Sequence, residues 1–381
     1  MSAHANPDIV DDNLVFLYDT DDAKSFKGEP TTNLITNSGT SNTGWVGHGW
    51  TGSQAISNDY SNTYEFTATN GWHNRTFDTG VTSGGTIYVS FEYKLKQQQT
   101  TQNQLFVLNG TSLGSYTNWL GSGSMSFEWQ TFSGSFTANA NSSKIAIGPR
   151  GADSSGLTDI VYIRNLQVEQ KPHATPFVNG TRSATQGLLD RTGSSTINIS
   201  NASFDSNAQM TFDGTDDYLA VPHDSSQSFT GDFSIEAVIK GESNTANCII
   251  QKGSGNDYYQ EYWLLQDMRS SQGRFTLVMG KSGNSSANYL NTSNALSQNI
   301  YYHVVATVSG STSKIFINGV EAESGSISNR IQSTSDLRIG WRVDGFAATN
   351  GGIPIVKLYN KALTEAEVFQ NYNATKGRFG L

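Results

Sequence analysis

The alternation of apolar and polar residues restricts the fold of this chain more than any other feature. Runs such as TIYVSFEYKLK (86–96) and WQTFSGSFTA (129–138) recur between turns that contain Gly, Asn, Asp or Ser. Successive side chains of a β-strand point to opposite faces, so a period of two predicts strands with one buried face. A spacing of about 8–12 residues between turns is typical of a sandwich or jelly roll. We therefore predict an all-β fold of β-sandwich or jelly-roll domains.

The composition agrees with this fold class and argues against several functions. Glycine is abundant (38 residues), proline is scarce (7) and aromatic residues make up 11% of the chain, which favours strands and turns over disorder. The net charge is −9 and the sequence has no basic stripe, so we expect no nucleic-acid partner. A single cysteine, Cys248, excludes an internal disulfide framework. No apolar run approaches the ~20 residues that span a bilayer, so we expect no membrane insertion.

The two ends of the chain have different characters. The first residues lack the basic and apolar segments of a secretory signal, which predicts a protein that is made in a cytoplasm. The acidic stretch 8–12 could be a frayed tail or could dock on a partner. The last residues, 361–381, form nearly the only stretch with a helical pattern. Thr364 and Glu367 have the spacing of a capping box, and Gly377 is the predicted stop.

The length of 381 residues predicts two domains rather than one core. The clearest boundary is KPHATPFVNGTRSATQG (171–187), which contains two prolines and has no apolar period. Strands in the segment after it are separated by strong turn signals. Among them, Asn318-Gly319 predicts a two-residue hairpin.

Five segments of the second half carry a family resemblance. In chain order they are MTFDGTDDYLAVP, FSIEAVIK, IYYHVVATVSGSTSKIFINGVEAE, LRIGW and IVKLYNKALTEAEVFQNYNATKGRF. Together they resemble the laminin-G-like, concanavalin-A-like lectin/glucanase superfamily. The last segment is especially similar to copies in virion proteins of tailed phages, notably marine and cyanobacterial phages. Because this fold hosts lectins, enzymes and structural modules, the resemblance alone does not decide the function.

The resemblance also implies a discontinuous domain. In such phage proteins the laminin-G-like domain begins with a strand like LVFLYDTDDAKSF, which is followed closely by a DLTGN-like turn. Here the strand lies at Asn13 to Lys27, but the segment that matches the turn, LLDRTGSSTINI, begins only at Leu188. The stretch between them resembles a galactose-binding or carbohydrate-binding-module jelly roll. We therefore predict an N-terminal tail at 1–12, a laminin-G-like sandwich at 13–32 plus 183–381, and an inserted jelly roll at 33–182. The alternative is two domains in tandem with a free N-terminal strand.

The resemblance to phage virion proteins, taken with the missing secretory signal and the missing pair of catalytic carboxylates, leads us to expect a non-enzymatic virion structural protein on the particle exterior: a capsid decoration, a fibre or a tail appendage. The expected partners are other virion proteins, in an oligomer or in many copies, and host-surface glycans. A bacterial carbohydrate-binding or adhesion protein is the alternative, and a polysaccharide hydrolase is the third interpretation. A hydrolase needs two carboxylates across a cleft. The nearest candidates, Glu236, Glu261 and Asp267, do not have the E-x-D-x-E-like pattern of the superfamily's enzymes, and we expect them to face solvent.

Glycan binding requires an aromatic face for the sugar ring and planar polar groups for its hydroxyls. Two glycine-flanked segments, GWVGHGW and NGWHNRTF, offer this mixture on predicted loops. The candidate residues are Trp72, His73 and Arg75, together with Trp45 and Trp50. Because tryptophan is mostly buried in proteins, packing in the core is the alternative for each ring.

A candidate metal site lies in the turn FDGTDDY, which contains Asp213, Asp216 and Asp217. Laminin-G-like domains commonly hold calcium at the rim of the sandwich, and carboxylate oxygens suit this hard cation. Asn256-Asp257 could complete the shell. The alternative is that Asp-Gly simply makes the turn between two strands. No other cofactor is expected.

Overall fold

The computed structural model describes residues 8–49, 52–68, 73–99, 104–112, 115–138, 144–149, 157–269, 273–283, 285–293 and 295–381. Backbone contacts divide the chain into two compact units. The larger unit consists of Met1–Glu29, Ala184–Asp205 and Gln209–Leu381, and the smaller unit consists of Pro30–Ser183 and Ser206–Ala208. The domain boundaries given above, after residues 12, 32 and 182, stay a prediction.

The first strands belong to the start of the larger unit and to the smaller unit. They are β1 (Leu14–Asp19), β2 (Thr31–Thr32), β3 (Trp45–Gly49), β4 (Gly52–Ile56), β5 (Thr63–Ala68), β6 (His73–Asp78), β7 (Thr86–Gln97), β8 (Gln104–Ser112), β9 (Ser115–Ser124), β10 (Gln130–Thr137), β11 (Lys144–Pro149), β12 (Asp159–Glu169) and β13 (Thr181–Arg182).

The remaining elements belong to the larger unit. They are β14 (Asn198–Ser200), β15 (Ser203–Phe204), β16 (Met210–Asp213), β17 (Tyr218–Val221), β18 (Phe233–Gly241), β19 (Ala246–Gly253), β20 (Gln260–Asp267), β21 (Arg274–Gly280), β22 (Ala287–Asn291), β23 (Tyr301–Ser309), β24 (Thr312–Ile317), β25 (Val320–Ser326), β26 (Leu337–Gly340), β27 (Asn350–Tyr359) and the helix α1 (Glu365–Phe379). Single 3₁₀ turns lie at Ser225–Gln227 and Asp257–Tyr259.

Two antiparallel sheets form the larger unit. One has the order β15-β16-β27-β18-β23-β24-β25, with β1 also paired to β27, and the other has the order β14-β17-β26-β19-β20-β21-β22. One apolar cluster draws side chains from both sheets and includes Phe212, Phe233, Tyr262 and Leu264. Burial of this surface stabilises the unit by about 25 cal/mol per Å² of apolar area. The predicted all-β class is confirmed.

The smaller unit also has two main sheets, with the orders β10-β7-β12-β5-β4 and β3-β6-β11-β8-β9, and β2 pairs with β13. Along β7 the apolar side chains of Ile87, Val89, Phe91, Tyr93 and Leu95 are buried, while the residues between them are half-buried. The period of two therefore directs alternate residues into the core and out of it, as the sequence predicts.

Helix α1 begins as predicted and ends later than predicted. The Thr364 hydroxyl accepts from the backbone N–H of Glu367, and the Glu367 carboxylate accepts from the Thr364 backbone, which confirms the capping box. The predicted stop at Gly377 is wrong. The helix continues to Phe379 and is capped by Gly380, whose φ of 68° suits glycine. Among the described residues, no helix combines the length and apolar character needed to cross a membrane.

The acidic segment 8–12 is held against this helix. The backbone N–H of Val10 donates to Asn371 Oδ1 (2.8 Å), and Tyr359 Oη donates to the Val10 carbonyl (3.0 Å). Gln370 Nε2 reaches the carbonyl of Asp8 (2.6 Å). The expectation of a frayed tail is therefore wrong, because the segment satisfies polar groups of α1 and β27 and buries Val10.

Candidate functional site

Trp45 lies in the core of the smaller unit. Only 9% of its surface is exposed, and its ring packs against Tyr64, Phe66 and Phe77 at centroid distances of 5.6–6.2 Å. The indole N–H donates to Tyr64 Oη (3.3 Å). The prediction that Trp45 contacts a glycan is wrong, because neighbouring strands cover the ring and satisfy its one donor.

The glycan-binding role of the other four candidates stays a prediction. Trp50 and Trp72 lie outside the described residues. The backbone of His73 begins β6, and Arg75 is half-buried on the same strand, so the expectation that these two residues lie on a loop is wrong. The Arg75 Nε atom is buried and has no hydrogen-bond partner among the described residues.

The three aspartates of the predicted calcium turn do come together. One carboxylate oxygen from each of Asp213, Asp216 and Asp217 lies within 4.8 Å of the others. Asp217 is buried, and its Oδ2 accepts from the backbone N–H groups of Ser203 (3.0 Å) and Asp213 (2.9 Å). Burial raises the pKa of Asp217 above its usual value, against these hydrogen bonds. Carboxylate oxygens suit a hard cation such as calcium, but the hydrogen bonds of Asp217 also stabilise the turn. Calcium binding therefore stays a prediction.

If this turn binds calcium, Ca²⁺ will raise the melting temperature and EDTA will reverse the rise, because a ligand that binds only the folded state stabilises it. The variant Asp216→Asn should lose most of this effect, since it removes an exposed charged ligand. Glu128→Gln, at an exposed carboxylate of the smaller unit, is the control. Equal melting temperatures in Ca²⁺ and EDTA would show that the aspartates only form the turn.

The three candidate catalytic carboxylates are buried, so the expectation that they face solvent is wrong. Glu261 on β20 accepts from the backbone N–H groups of Phe229 (2.6 Å) and Ser333 (2.9 Å). Burial raises the pKa of Glu261, partly offset by these donors. Asp267, on the same strand, pairs with Arg269 at 2.8 Å. The carboxylates of Glu261 and Asp267 thus accept hydrogen bonds that hold neighbouring segments against β20.

Glu236 on β18 is fully buried beneath α1. Its carboxylate accepts from Lys357 Nζ (2.7 Å), Asn371 Nδ2 (2.6 Å) and His303 Nε2 (3.1 Å). Burial alone would raise the pKa of Glu236, but the charge of Lys357 and the contact with His303 outweigh it and lower the pKa to about 2. Glu236 therefore stays ionised and links β18, β23, β27 and α1. We call these four residues the Glu236 cluster.

A different group of residues forms the best candidate site of the larger unit. Arg342 follows β26 and is only 3% exposed. Its guanidinium lies 4.3 Å from the ring centroid of the buried Trp263. It donates to Asp257 Oδ1 through Nη1 (2.7 Å) and to Asp344 Oδ2 through Nη2 (2.8 Å). A buried cation thus holds two half-exposed carboxylates in fixed positions.

Local turns explain why these side chains converge. Asp257 begins the 3₁₀ turn between β19 and β20, whose first N–H groups are capped by Asn256. Asp344 Oδ1 accepts from the backbone N–H of Phe346 (3.1 Å), and the Arg342 N–H closes the same loop onto the carbonyl of Ala347 (2.8 Å). Asp257 is therefore engaged by Arg342, and its predicted contribution to a calcium shell stays a prediction.

Exposed aromatic rings flank the two carboxylates. Tyr289 is 51% exposed and donates its hydroxyl to Asp257 Oδ2 (2.7 Å), and Phe346 is 54% exposed with its ring 4.9 Å from the guanidinium of Arg342. Partial burial and the charge of Asp257 raise the pKa of Tyr289 well above its usual value, so the phenol stays protonated. We call Asp257, Tyr289, Arg342, Asp344 and Phe346 the Arg342 site.

The Arg342 site has the groups that a sugar requires. Exposed rings can pack against the apolar face of a pyranose, and the lone pairs of fixed carboxylates can accept from its hydroxyls. Little free energy is needed to order these side chains when a ligand binds, because Arg342 already holds both carboxylates in place. Sequence analysis missed this group because Asp257 and Arg342 are 85 residues apart.

Residues 213–369 match a laminin-G family model described as the Concanavalin A-like lectin/glucanases superfamily. The larger unit therefore contains a concanavalin-A-like domain, and this part of the sequence-based resemblance is confirmed. The segment includes all of the Arg342 site. A comparison with curated proteins gave no match.

Solved structures show weaker similarity. The botulinum neurotoxin serotype D ligand-binding domain in complex with N-acetylneuraminic acid is 16% identical with a TM-score of 0.40, over 50% of this chain and 49% of that one. A Trypanosoma rangeli sialidase is 18% identical with a TM-score of 0.38, over 50% of this chain and 31% of that one. The binding domain of Paraclostridial Mosquitocidal Protein 1 is 18% identical with a TM-score of 0.38, over 49% of each chain. None of these similarities assigns a ligand or an activity to this protein.

Proposed function

We propose that this protein binds glycans without transforming them, as a structural protein on the exterior of a tailed-phage virion. The observation that carries the binding role is the Arg342 site, where exposed rings flank fixed carboxylates within the lectin-like domain. The virion role is supported by the resemblance of the C-terminal segment to phage proteins. As a capsid decoration, fibre or tail appendage, the protein would have other virion proteins as partners.

The placement of the acidic residues supports binding over hydrolysis. Glu236, Glu261 and Asp267 are each held by cations or backbone donors inside the fold. A retaining or inverting glycosidase needs two carboxyl groups that face the same bound sugar. In the Arg342 site the carboxylates of Asp257 and Asp344 both accept from the one guanidinium of Arg342, so each is engaged within the fold and neither is free to act as acid or nucleophile.

Many copies on a particle would turn weak single-site contacts into firm attachment. Linked sites raise the effective concentration of each further contact, so avidity can exceed single-site affinity by about 10²–10⁴. The Arg342 site holds two carboxylates and one guanidinium, a balance that favours neutral sugars over acidic ones. We therefore expect host-surface glycans with neutral hexoses as its ligands.

The double variant Tyr289→Ala/Phe346→Ala should weaken binding to neutral glycans on an array by about tenfold or more, since two stacking rings are removed. Its melting temperature should stay close to that of the parent protein, because both rings are more than half exposed. Phe369→Ala removes an equally exposed ring (51%) from α1 and serves as the matched control.

Equal glycan binding by the parent protein and the double variant would contradict the proposal that the Arg342 site binds the glycan. Release of new reducing ends from any bound polysaccharide would contradict the non-enzymatic role and favour a hydrolase. Mass spectrometry of purified particles tests the virion role separately. Absence of the protein from particles, with glycan binding intact, would favour a bacterial adhesion protein.

A further inference from the structure

We infer that the smaller unit carries a second glycan-binding surface, built around Lys94, that selects acidic sugars. It consists of Tyr60, Lys94, Trp129 and Tyr162, and we call it the Lys94 surface. It shares no residue with the Arg342 site, and its ligand has the opposite charge preference. The two inferences can therefore fail independently.

Strand register assembles this surface. Along β7, Lys94 points away from the buried side chains that precede and follow it. It lies opposite Tyr162 of β12, which in turn lies opposite Glu65 of β5. Tyr60 comes from the turn before β5, and Trp129 comes directly before β10. Four segments far apart in sequence thus meet on the outer face of one sheet.

The aromatic rings surround the lysine without stacking on one another. The Tyr60 ring meets Trp129 at 5.4 Å and Tyr162 at 5.2 Å, both nearly perpendicular. Lys94 Nζ lies 4.7 Å from the ring centroid of Tyr60, 5.0 Å from that of Trp129 and 6.0 Å from that of Tyr162. The rings thus hold an ammonium group by cation–π attraction.

The neighbouring cations are neutralised by carboxylates. Lys96 binds Asp59 (3.2 Å) and Glu65 (2.9 Å). Arg164, whose guanidinium covers the Trp129 ring at 3.8 Å, donates to both oxygens of Glu92 (2.8 and 2.9 Å). Asp59, Glu65 and Glu92 are thereby engaged, and Asp59 also accepts from the Tyr162 hydroxyl.

Lys94 is not neutralised in this way. Within the described part of the chain it forms no ion pair, and its one hydrogen bond goes to Tyr60 Oη (2.8 Å). An ammonium group has three N–H donors, so two remain for a ligand. Ring surface beside it is open to solvent, because Tyr60 is 36% exposed and Trp129 is half-buried.

These features fit a sugar that carries one negative group. Its ring would pack on the exposed aromatic surface, and its carboxylate or sulfate would accept from Lys94. A polyanion such as single-stranded nucleic acid fits less well, because the carboxylates of Asp59, Glu65 and Glu92 lie on the same face as Lys94 and would repel its phosphates. The ligand class is therefore uronic, sialic or sulfated sugar residues.

Matched pairs of probes test this inference by calorimetry on the full chain: oligogalacturonate against its methyl ester, and 3′-sialyllactose against lactose. We expect at least one acidic probe to bind about tenfold more tightly than its neutral partner, as for a hydrogen bond to a charged group, and to weaken as salt is added. Lys94→Met should abolish this preference, and Lys94→Arg should retain it. Lys144→Met, on the other sheet of the same unit, should change nothing.

Several results would overturn the inference. One is that neither pair shows a preference for the acidic probe. Another is that Lys94→Met lowers the melting temperature but leaves the preference intact, which would make the Lys94 surface purely structural. A third is that an oligonucleotide binds and Lys94→Met abolishes that binding while neither acidic sugar binds. The Tyr289→Ala/Phe346→Ala variant should keep the preference for the acidic probe. The test of the Lys94 surface is therefore independent of whether the Arg342 site binds a glycan.

Discussion

Replacement of Lys357 by methionine is expected to lower the free energy of unfolding by about 3–5 kcal/mol, the usual cost of removing one partner from a buried ion pair. Lys357 is 2% exposed at its side chain and lies 2.7 Å from the fully buried Glu236. Methionine keeps most of the side-chain volume, so the loss reflects the unpaired carboxylate rather than a cavity. Urea denaturation followed by fluorescence measures the change.

The same variant should respond to acid in the opposite direction to the parent protein. Because the pKa of Glu236 is lowered to about 2, the Glu236 cluster stabilises the parent above the ordinary carboxyl pKa of 4.5, and this contribution is lost as the pH falls from about 4.5 toward 2. Without Lys357, burial should raise the pKa of Glu236. Protonation will then remove the unpaired buried charge and raise the free energy of unfolding of the variant. The difference in the free energy of unfolding between the parent protein and the variant should therefore become smaller below about pH 4.5.

Lys314→Met is the control for this prediction. Lys314 also pairs with carboxylates, Glu321 at 2.7 Å and Glu365 at 3.1 Å, but this pair is exposed to solvent. Surface pairs contribute little, so the control should unfold nearly as the parent does. Equal losses in both variants, or a difference that does not change with pH, would show that the Glu236 cluster does not stabilise the fold electrostatically.

Gly351→Ala is expected to lower the free energy of unfolding by more than about 3 kcal/mol. Gly351 lies on β27 with a φ of 135°, and a Cβ atom there would lie 2.0 Å from the carbonyl oxygen of Lys240. That oxygen belongs to the backbone of β18, so it cannot move away without disturbing the pairing of β18 with β27.

The neighbouring Gly352→Ala is the matched control. A Cβ atom at Gly352 meets nothing closer than Tyr301 Oη at 3.5 Å, an ordinary contact. We expect only a small change in its urea midpoint. Similar midpoints for the two alanine variants would mean that the sheet adapts at Gly351 and that the close approach has no energetic consequence.

Local features of the fold could be predicted from sequence because neighbouring residues encode them. The alternation along β7 gave its buried face, and the Thr364–Glu367 spacing gave the start of α1. Asn318 and Gly319 do form the turn between β24 and β25, with φ of 50° and 81°. The end of α1 was mispredicted because its last turn is held by distant partners: Arg378 binds Asp19 at 2.6 Å.

The candidate sites could not be predicted in the same way. Asp257 meets Arg342, and Lys94 meets Tyr60 and Trp129, only after strands distant in sequence have paired. The pattern of Trp45 among glycines resembles a binding loop, yet the register of β3 with β6 places its ring in the core. Composition identifies which residue types can bind a sugar, whereas topology decides which of them reach the surface together.

The two connections of residues 30–183 to the rest of the chain also bear on how such a protein can change in evolution. The Lys27 N–H donates to the Gly187 carbonyl (2.8 Å), and Thr31–Thr32 pairs with Thr181–Arg182. The outgoing and returning chain therefore run side by side, and the sheets of the larger unit are complete without residues 30–183. Recombination could therefore exchange this segment as a cassette while the remainder of the polypeptide is inherited unaltered.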